Sequence, residues 1–228
     1  MTDPNLTHLY FLLDRSGSMQ SIKDDTEGGF DAFIAEQRTQ PGDCRVTLAQ
    51  FDDRYEEVYR DVPVADVPPL RLSPRGSTAL LDSIGRLLGE AGERLAALPE
   101  AERPGVVIVG IMTDGHENAS HELTHAQVKA MIERQTSEYS WQFLYMGADQ
   151  DAIEVGTSLG VQANRSITYS RDASAPAMTA TAALVTRLRT ARATAASAMD
   201  IGYTAEDREA AAARGSNSAP ATKPRPKR

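Results

Sequence analysis

Several short apolar segments of the chain lack the polar alternation of a half-exposed strand and are bounded by turn residues. The clearest are residues 8–13, 106–112 and 141–146. Such runs are typical of strands that are buried on both faces in a parallel sheet covered by helices. Residues 45–51 form a fourth run, and only three residues separate it from a fifth run at 55–60, so these two must pair as a hairpin. The pattern predicts a mostly parallel sheet with one antiparallel strand at or near an edge.

Helical periodicity fills the segments between these strands. A helix is predicted over residues 21–37, despite two adjacent glycines, and another begins at Thr124, which opens a capping box. The strongest pattern spans residues 80–98. Its apolar positions are spaced by three and four and fall on one face: Leu80, Leu81, Ile84, Leu87, Leu88, Ala91, Leu95 and Leu98. The alternation of strands and helices predicts an α/β fold, a doubly wound sheet with helices on both faces.

The C-terminal part of the chain changes character near residue 205. Before it, the sequence predicts a short helix capped by Asp149, a strand at residues 166–170 and a further helix through residues 178–188. After it, the composition turns to Ala, Arg, Ser, Pro and Lys without apolar periodicity. We therefore predict one domain over residues 1–205 and a disordered basic tail over residues 206–228.

Charge and composition limit the classes of partner. The formal net charge is -8, but the last fifteen residues carry five basic and no acidic side chains, which leaves -13 on residues 1–213. Such an acidic body repels phosphate backbones, so we expect no nucleic-acid binding by the folded part, although the tail could dock electrostatically. The single cysteine, Cys44, excludes an internal disulfide and fits a reducing compartment. No signal peptide or membrane-spanning run is visible, which predicts a soluble, cytoplasmic protein without membrane contact.

Short oxygen-bearing side chains follow the first predicted strand. Asp14, Ser16 and Ser18 occupy alternate positions in the turn that leads into a helix. One carboxylate and two hydroxyls at this spacing can converge on one point. Oxygen ligands of this kind suit a hard cation such as Mg²⁺, which prefers octahedral coordination and keeps several waters.

Two further oxygen ligands are predicted at the same edge of the sheet. Asp114 follows the strand predicted at residues 106–112, which is the fourth in chain order. Thr78 lies in a Gly-Ser-Thr loop just before the long amphipathic helix. In a doubly wound sheet, strands one and four flank the point where strand order reverses, and ligands bind outside their carboxyl ends. Asp14 and Asp114 are therefore expected to face one crevice.

These motifs resemble, in order and spacing, the metal-ion-dependent adhesion site of von Willebrand factor A domains. The matching elements are Asp-x-Ser-x-Ser at positions 14, 16 and 18, Thr78 in its Gly-Ser-Thr loop, and Asp114 in Thr-Asp-Gly. The resemblance covers about residues 6–195 and is strongest to small bacterial cytoplasmic members, through the stretch at residues 12–33, LLDRSGSMQSIKDDTEGGFDAF.

The resemblance implies both a topology and a function. The implied strand order is 3-2-1-4-5-6, with six strands, one antiparallel edge strand and helices on both faces. The implied cofactor is Mg²⁺, with Mn²⁺ as a possible substitute, whose last coordination position is open to an Asp or Glu carboxylate of a partner protein. The chain would then be a protein-binding adaptor or scaffold module and not an enzyme.

Other polar residues near these motifs are candidates for supporting the ligands. His116, Glu117 and Asn118 follow Asp114, and Asp52 follows the second predicted strand. Hydrogen bonds from such residues orient metal ligands. The alternative for the three residues after Asp114 is an exposed polar loop, and for Asp52 a turn.

Two enzyme classes compete with the binding module. An Asp at the end of the first strand beside Mg²⁺ is the nucleophile of haloacid-dehalogenase-like phosphatases, so Asp14 could serve a phosphatase-like hydrolase. That family's Asp-x-Asp pattern has Ser16 in its second position here, which removes the general acid. A serine hydrolase using Ser16 or Ser18 with His116 lacks the Gly-x-Ser-x-Gly elbow. The binding module is therefore the favoured prediction.

Overall fold

A six-stranded sheet forms the centre of the computed structural model, which describes residues 1–149, 151–193 and 200–212. The strand order is β3-β2-β1-β4-β5-β6, as the family resemblance implied. β2 and β3 pair antiparallel, and the other neighbours pair parallel. The strands are β1 (Asp3–Asp14), β2 (Asp43–Phe51), β3 (Tyr55–Pro63), β4 (Pro104–Thr113), β5 (Gln142–Ala148) and β6 (Ser166–Tyr169).

Helices cover both faces of this sheet. They are α1 (Lys23–Thr39), α2 (Leu80–Ala97), α3 (His125–Tyr139), α4 (Ala152–Ser158), α5 (Ser174–Ala193) and α6 (Ala205–Ala212). Alternate residues of β1 point to opposite faces, so Phe11 packs with Phe30 and Phe33 of α1, whereas Leu12 belongs to the apolar cluster on the other face, which includes Ile84 of α2. None of the helices in the described ranges is long and apolar enough to span a bilayer.

Local sequence signals set the ends of two helices. At Thr124 the capping box is present: the Gln127 amide oxygen accepts from the Thr124 N–H at 2.8 Å, and the Thr124 hydroxyl accepts from the Gln127 N–H. α2 ends before Leu98, which is extended because Pro99 follows it.

Asp149 does not cap α4, contrary to the prediction. Asp151 does, accepting from the N–H groups of Ile153 and Glu154.

β3 is an outer strand of the sheet and pairs irregularly with β2. The register shifts on either side of Leu48, and Asp61 has a left-handed backbone conformation with φ of 52°. Arg45 of β2 donates to both the backbone and the side chain of Asp61 at 3.0 Å. This edge is therefore distorted and charged along its length.

Residues 206–212 correct the predicted start of the disordered tail. They belong to α6, where Ala211 is buried and its carbonyl accepts from the Ser170 N–H at 3.0 Å. Arg208 donates to the Ser166 carbonyl at 2.8 Å, and Asp207 pairs with Arg187 at 3.0 Å. α6 is held by small side chains and polar contacts, which leave no apolar pattern in the sequence. Residues 213–228 of the predicted tail lie outside the described residues.

Candidate metal-binding site

The candidate site lies at the carboxyl ends of β1 and β4, which are neighbours in the middle of the sheet. From β1 the chain continues to β2 on one side, and from β4 to β5 on the other. Asp14 is the last residue of β1, and Asp114 directly follows β4. Strand order reverses between these strands, which leaves the crevice where doubly wound sheets bind ligands.

Asp14 is fully buried, and both of its carboxylate oxygens accept hydrogen bonds. Oδ1 accepts from the Ser16 N–H and Oδ2 from the Thr113 hydroxyl, each at 2.6 Å. Burial raises the pKa of Asp14 to about 6, and the hydrogen bonds from Thr113 and Ser16 oppose that rise. A neighbouring cation would favour the ionised form of this carboxyl group.

The hydroxyls of Ser16 and Ser18 connect the loop after β1 with the loop after β4. The Ser18 hydroxyl donates to Asp114 Oδ1 at 2.6 Å, and the Ser16 and Ser18 oxygens lie 3.0 Å apart. Since the Ser18 proton is directed to Asp114, Ser16 must be the donor in the second bond. The Asp14 carboxylate in turn accepts from the Ser16 N–H. Four of the five predicted ligands, all except Thr78, are therefore connected by hydrogen bonds.

Thr78, the fifth predicted ligand, faces the same space. A Cβ atom built onto Gly115 would lie 3.1 Å from Thr78 Oγ1, 3.7 Å from Ser18 Oγ and 3.9 Å from Asp14 Oδ2. Oxygens from the loop after β1 and from the Thr78 loop thus surround a volume that stays open because residue 115 has no side chain, and Asp114 is joined to this group through its bond with Ser18. The structure brings all five predicted residues together at this point.

Asp52, predicted as a supporting residue, holds the loop that carries Thr78. Its side chain is buried and accepts from Arg15 at 3.0 Å and Arg75 at 2.8 Å, and its carbonyl accepts from the Ala79 N–H at 2.9 Å. Burial acts to raise the pKa of Asp52, but hydrogen bonds from the Arg54 N–H and Arg75 keep it below its usual value. Asp52 is therefore a charged anchor of this loop.

The loop after Asp114 supports Thr78 through Asn118. The Asn118 side-chain oxygen accepts from the Thr78 N–H at 2.9 Å, and the Asn118 N–H donates to the Thr78 carbonyl at 3.1 Å. Glu117, a predicted support, accepts from the Leu81 N–H at 2.9 Å in the first turn of α2, where a negative charge is favourable. His116, the other predicted support in this loop, is exposed and lies outside this network.

Arg171 is a polar neighbour of the site that sequence reasoning missed. Its guanidinium group lies 3.0 Å from Asp114 Oδ2, donates to the Asp114 carbonyl at 3.2 Å and donates to Asp149 at 2.9 Å. Burial raises the pKa of Asp114, while the Ser18 hydrogen bond and the Arg171 charge oppose this. Arg171 follows β6, 57 residues from Asp114, and no local motif marks it.

A cavity of about 850 Å³ lies at the opposite end of the strands. Its lining includes His8 and Tyr10 of β1 and Arg94 of α2, and it contacts none of the five predicted ligands. Among the residues that the structure describes, no group of three or more His, Cys, Asp or Glu side chains is arranged to hold a metal. The candidate site has a different donor set, in which two carboxylates are combined with hydroxyls.

Comparisons with known proteins were made for the sequence and for the structure. The sequence matches no protein-family model and no curated protein. The structure is similar to proximal thread matrix protein 1 from the mussel byssus, with a TM-score of 0.55 and 18% identity over 82% of this chain and 48% of that one. The same mussel protein with a zinc occupied MIDAS motif gives a TM-score of 0.57 and 17% identity over 81% and 47% of the two chains. This chain thus spans about half the length of the mussel protein.

A bacterial domain gives a similar result over a more equal length. The vWF domain of the type V pili tip protein Mfa5 from Porphyromonas gingivalis has a TM-score of 0.53 and 11% identity, over 78% of this chain and 94% of that one. A von Willebrand factor type A protein from Catenulispora acidiphila has a TM-score of 0.53 and 16% identity, over 81% and 43%. Identities this low show the fold alone, and this chain therefore has the fold of von Willebrand factor A domains.

Proposed function

We propose that this chain is a metal-dependent protein-binding domain. The observation that carries the proposal is the convergence of oxygens from the loop after β1 and the Thr78 loop around the open space beside Gly115, with Asp114 bonded to Ser18 of the same group. The residues that would hold the cation are Asp14, Ser16, Ser18, Thr78 and Asp114. Each contributes a carboxylate or hydroxyl oxygen, and no sulfur or nitrogen ligand is among them.

The donor set favours Mg²⁺ as the bound cation, with Mn²⁺ as a substitute. Hard divalent cations prefer oxygen ligands, and Mg²⁺ is commonly bound by one or two carboxylates with retained waters. The two carboxylates can balance the charge of one divalent cation. The zinc occupied MIDAS motif of the similar mussel structure supports a divalent cation in this fold.

A protein partner with an Asp or Glu side chain fits the charge of a cation bound at the site. The bound cation would supply an open coordination position to that carboxylate. Asp14, Ser16, Thr78 and Asp114 are buried below the surface, and Ser18 is exposed at its rim. A single side chain of a partner could contact the group from the side of Ser18. The net charge of -8 on the chain opposes nucleic acid as the partner.

The same arrangement favours binding over catalysis. Both oxygens of Asp14 accept hydrogen bonds within the site, and the position two residues later, where the phosphatase pattern requires an acid, is Ser16. These features support a binding module over a phosphatase-like hydrolase in the proposal.

Metal titration tests the first part of the proposal. Calorimetric titration with Mn²⁺ should show one binding site in the wild type and a loss of at least about tenfold in affinity for Thr78→Ala, because a direct oxygen ligand is removed. The adjacent, exposed Ser77→Ala is the matched control and should bind like the wild type. Equal Mn²⁺ binding by all three proteins would contradict the assignment of the site.

Peptide selection tests the second part. Peptides selected on the Mn²⁺-loaded domain would be resynthesised with each Asp replaced by Asn and each Glu by Gln. We expect one such replacement to abolish binding, and EDTA to do the same to the parent peptide. Peptides that bind equally well after every replacement and in EDTA would contradict carboxylate capture.

A further inference from the structure

The side chain of Arg171 ties Asp114 to a second carboxylate at the edge of the candidate site. From these contacts we infer that Arg171 is a built-in competitor of the metal, which holds Asp114 when no cation is bound and weakens cation binding. The inference rests on the proposed function, because it assumes that a cation binds beside Asp114. It adds a residue that no part of the adhesion-site motif contains.

The first support is the ion pair between Asp114 and Arg171. Asp114 Oδ1 accepts from Ser18 at 2.6 Å, whereas the buried Oδ2 accepts no hydrogen bond and lies 3.0 Å from Arg171 Nη1. The Asp114 side chain is fully buried, whereas 38% of the Arg171 side chain is exposed. A cation that recruits Asp114 must therefore share this carboxylate with the guanidinium group or displace it, and Arg171 has solvent on one side into which it can move.

The second support is the hydrogen bond between Arg171 and a second carboxylate, Asp149. Its Nε donates to Asp149 Oδ2 at 2.9 Å, while Nη2 donates to the Asp114 carbonyl at 3.2 Å. Asp149 follows β5 and has a left-handed backbone conformation with φ of 48°. Arg171 thus has an alternative carboxylate partner already in contact, so its release from Asp114 does not leave its charge unpaired.

The third support is electrostatic. Asp14, Asp114 and Asp149 carry three negative charges, and Arg171 supplies one positive charge within 3.0 Å of two of these carboxylates. A guanidinium group and a divalent cation at one carboxylate repel each other, and at such separations in a partly buried site the repulsion is substantial. Removing the Arg171 charge should therefore strengthen metal binding.

A purely structural ion pair makes a different prediction. If Arg171 only joined the ends of β4 and β5, its loss would destabilise the protein equally with and without metal, and would leave metal affinity unchanged or reduced. If it competes with the cation, its loss destabilises the metal-free protein more than the metal-bound protein. The amount by which Arg171 weakens metal binding then equals the amount by which bound metal weakens the Arg171–Asp114 contact, because both measure the same coupling free energy.

The test is calorimetric titration with Mn²⁺ of the wild type, Arg171→Gln, Arg171→Lys and Arg54→Gln, at one ionic strength. Arg54 is the control for the loss of a positive charge, since it lies at the same edge of the sheet with 81% of its side chain exposed. We expect Arg171→Gln to bind Mn²⁺ at least about fivefold more tightly than the wild type, the lower end of usual coupling between linked sites. The Mn²⁺ affinities of Arg171→Lys and Arg54→Gln should stay within about twofold of the wild-type affinity, a factor below that range.

Thermal unfolding with and without Mn²⁺ gives a second readout on the same proteins. The metal should raise the melting temperature of Arg171→Gln by more than that of the wild type. Unchanged or weaker Mn²⁺ binding by Arg171→Gln, with Thr78→Ala still impaired, would overturn the competitor role and leave the proposed function intact. An absence of Mn²⁺ binding in the wild type and in every Arg171 variant would overturn both.

Discussion

The hydroxyl of Ser18 donates a 2.6 Å hydrogen bond to Oδ1 of Asp114, across a separation of 96 residues. This bond joins the loop after β1 to the loop after β4. It orients the Asp114 carboxylate within the site before any cation binds, and the other oxygen lies 3.0 Å from the Arg171 guanidinium group. The candidate ligands are therefore preorganised by contacts among themselves.

Replacing Ser18 by Ala should destabilise the metal-free protein by about 1 kcal/mol, since a hydrogen bond to a charged acceptor is lost at an exposed rim. Urea unfolding of Ser18→Ala, Asp114→Asn and the double variant would measure the coupling. We expect the double variant to be less destabilised than the sum of the single variants. Additive effects would show that the Ser18–Asp114 bond contributes nothing to stability.

Gly115→Ala should abolish Mn²⁺ binding while the protein remains folded. The added methyl group would lie 3.1 Å from Thr78 Oγ1, inside the space that the oxygens surround. The control is Gly28→Ala on the exposed face of α1, where an added Cβ meets nothing within 4 Å. That control should raise stability by about 0.5 to 1 kcal/mol through helix propensity. Wild-type metal affinity in Gly115→Ala would place the cation elsewhere.

The buried His8 should make the protein lose stability as the pH falls below about 6.5. Burial, with Arg94 and Arg45 nearby, lowers the pKa of His8 to about 3, and this outweighs Asp61, whose carboxylate lies 3.8 Å away. The pKa of His8 is lower in the folded protein than in the unfolded chain, so as the pH falls the unfolded chain binds a proton at His8 before the folded protein does. The contribution of neutral His8 is complete above pH 6.5 and is lost towards pH 3.

The His8 contribution corresponds to about 2 kcal/mol between pH 6 and pH 4. His8→Gln keeps a polar side chain beside Thr47 but cannot titrate in this range. The free energy of unfolding of the variant should therefore fall less steeply over this interval than that of the wild type. Parallel curves for the two proteins would exclude His8 as a source of acid sensitivity.

Arg208→Ala should destabilise the protein by about 1 kcal/mol, which would show that α6 belongs to the folded domain. Arg208 donates to the carbonyls of Ser166 and Ala163, and its guanidinium group lies 5.9 Å from the centre of the Tyr203 ring. Glu209→Ala, on the exposed side of the same helix, is the control and should have no measurable effect on urea unfolding. Equal stability of the two variants would mean that α6 contributes nothing through Arg208.

The strands were predictable because burial on both faces leaves continuous apolar runs. β1 nevertheless begins at Asp3, five residues earlier than the run at residues 8–13, because its first residues are held by backbone pairing that leaves no apolar pattern. α6 was missed for a related reason, since alanine and charged side chains hold it. Periodicity finds elements that are stabilised by large apolar side chains and overlooks those stabilised by polar contacts.

The candidate ligands were predictable because their motifs are local. Asp14, Ser16 and Ser18 fall within five residues, and the topology brings Asp114 to the same edge of the sheet. Arg171 contacts the site only through the folded arrangement of distant loops and belongs to no recognisable pattern, whereas Asn118, which follows Asp114 closely, was among the predicted supporting residues. Asp149 was predicted as a helix cap because it precedes α4, but Asp151 occupies that position and Asp149 pairs with Arg171.

The distorted outer strand β3 has a consequence for how copies of this domain meet. An outer strand with free N–H and C=O groups is a template on which another chain can add a strand. The shifted register around Leu48, the left-handed Asp61 and the alternating charges of Glu56 and Arg60 make this template a poor match for a straight strand. The sheet is thus protected at β3 against growth into an aggregate.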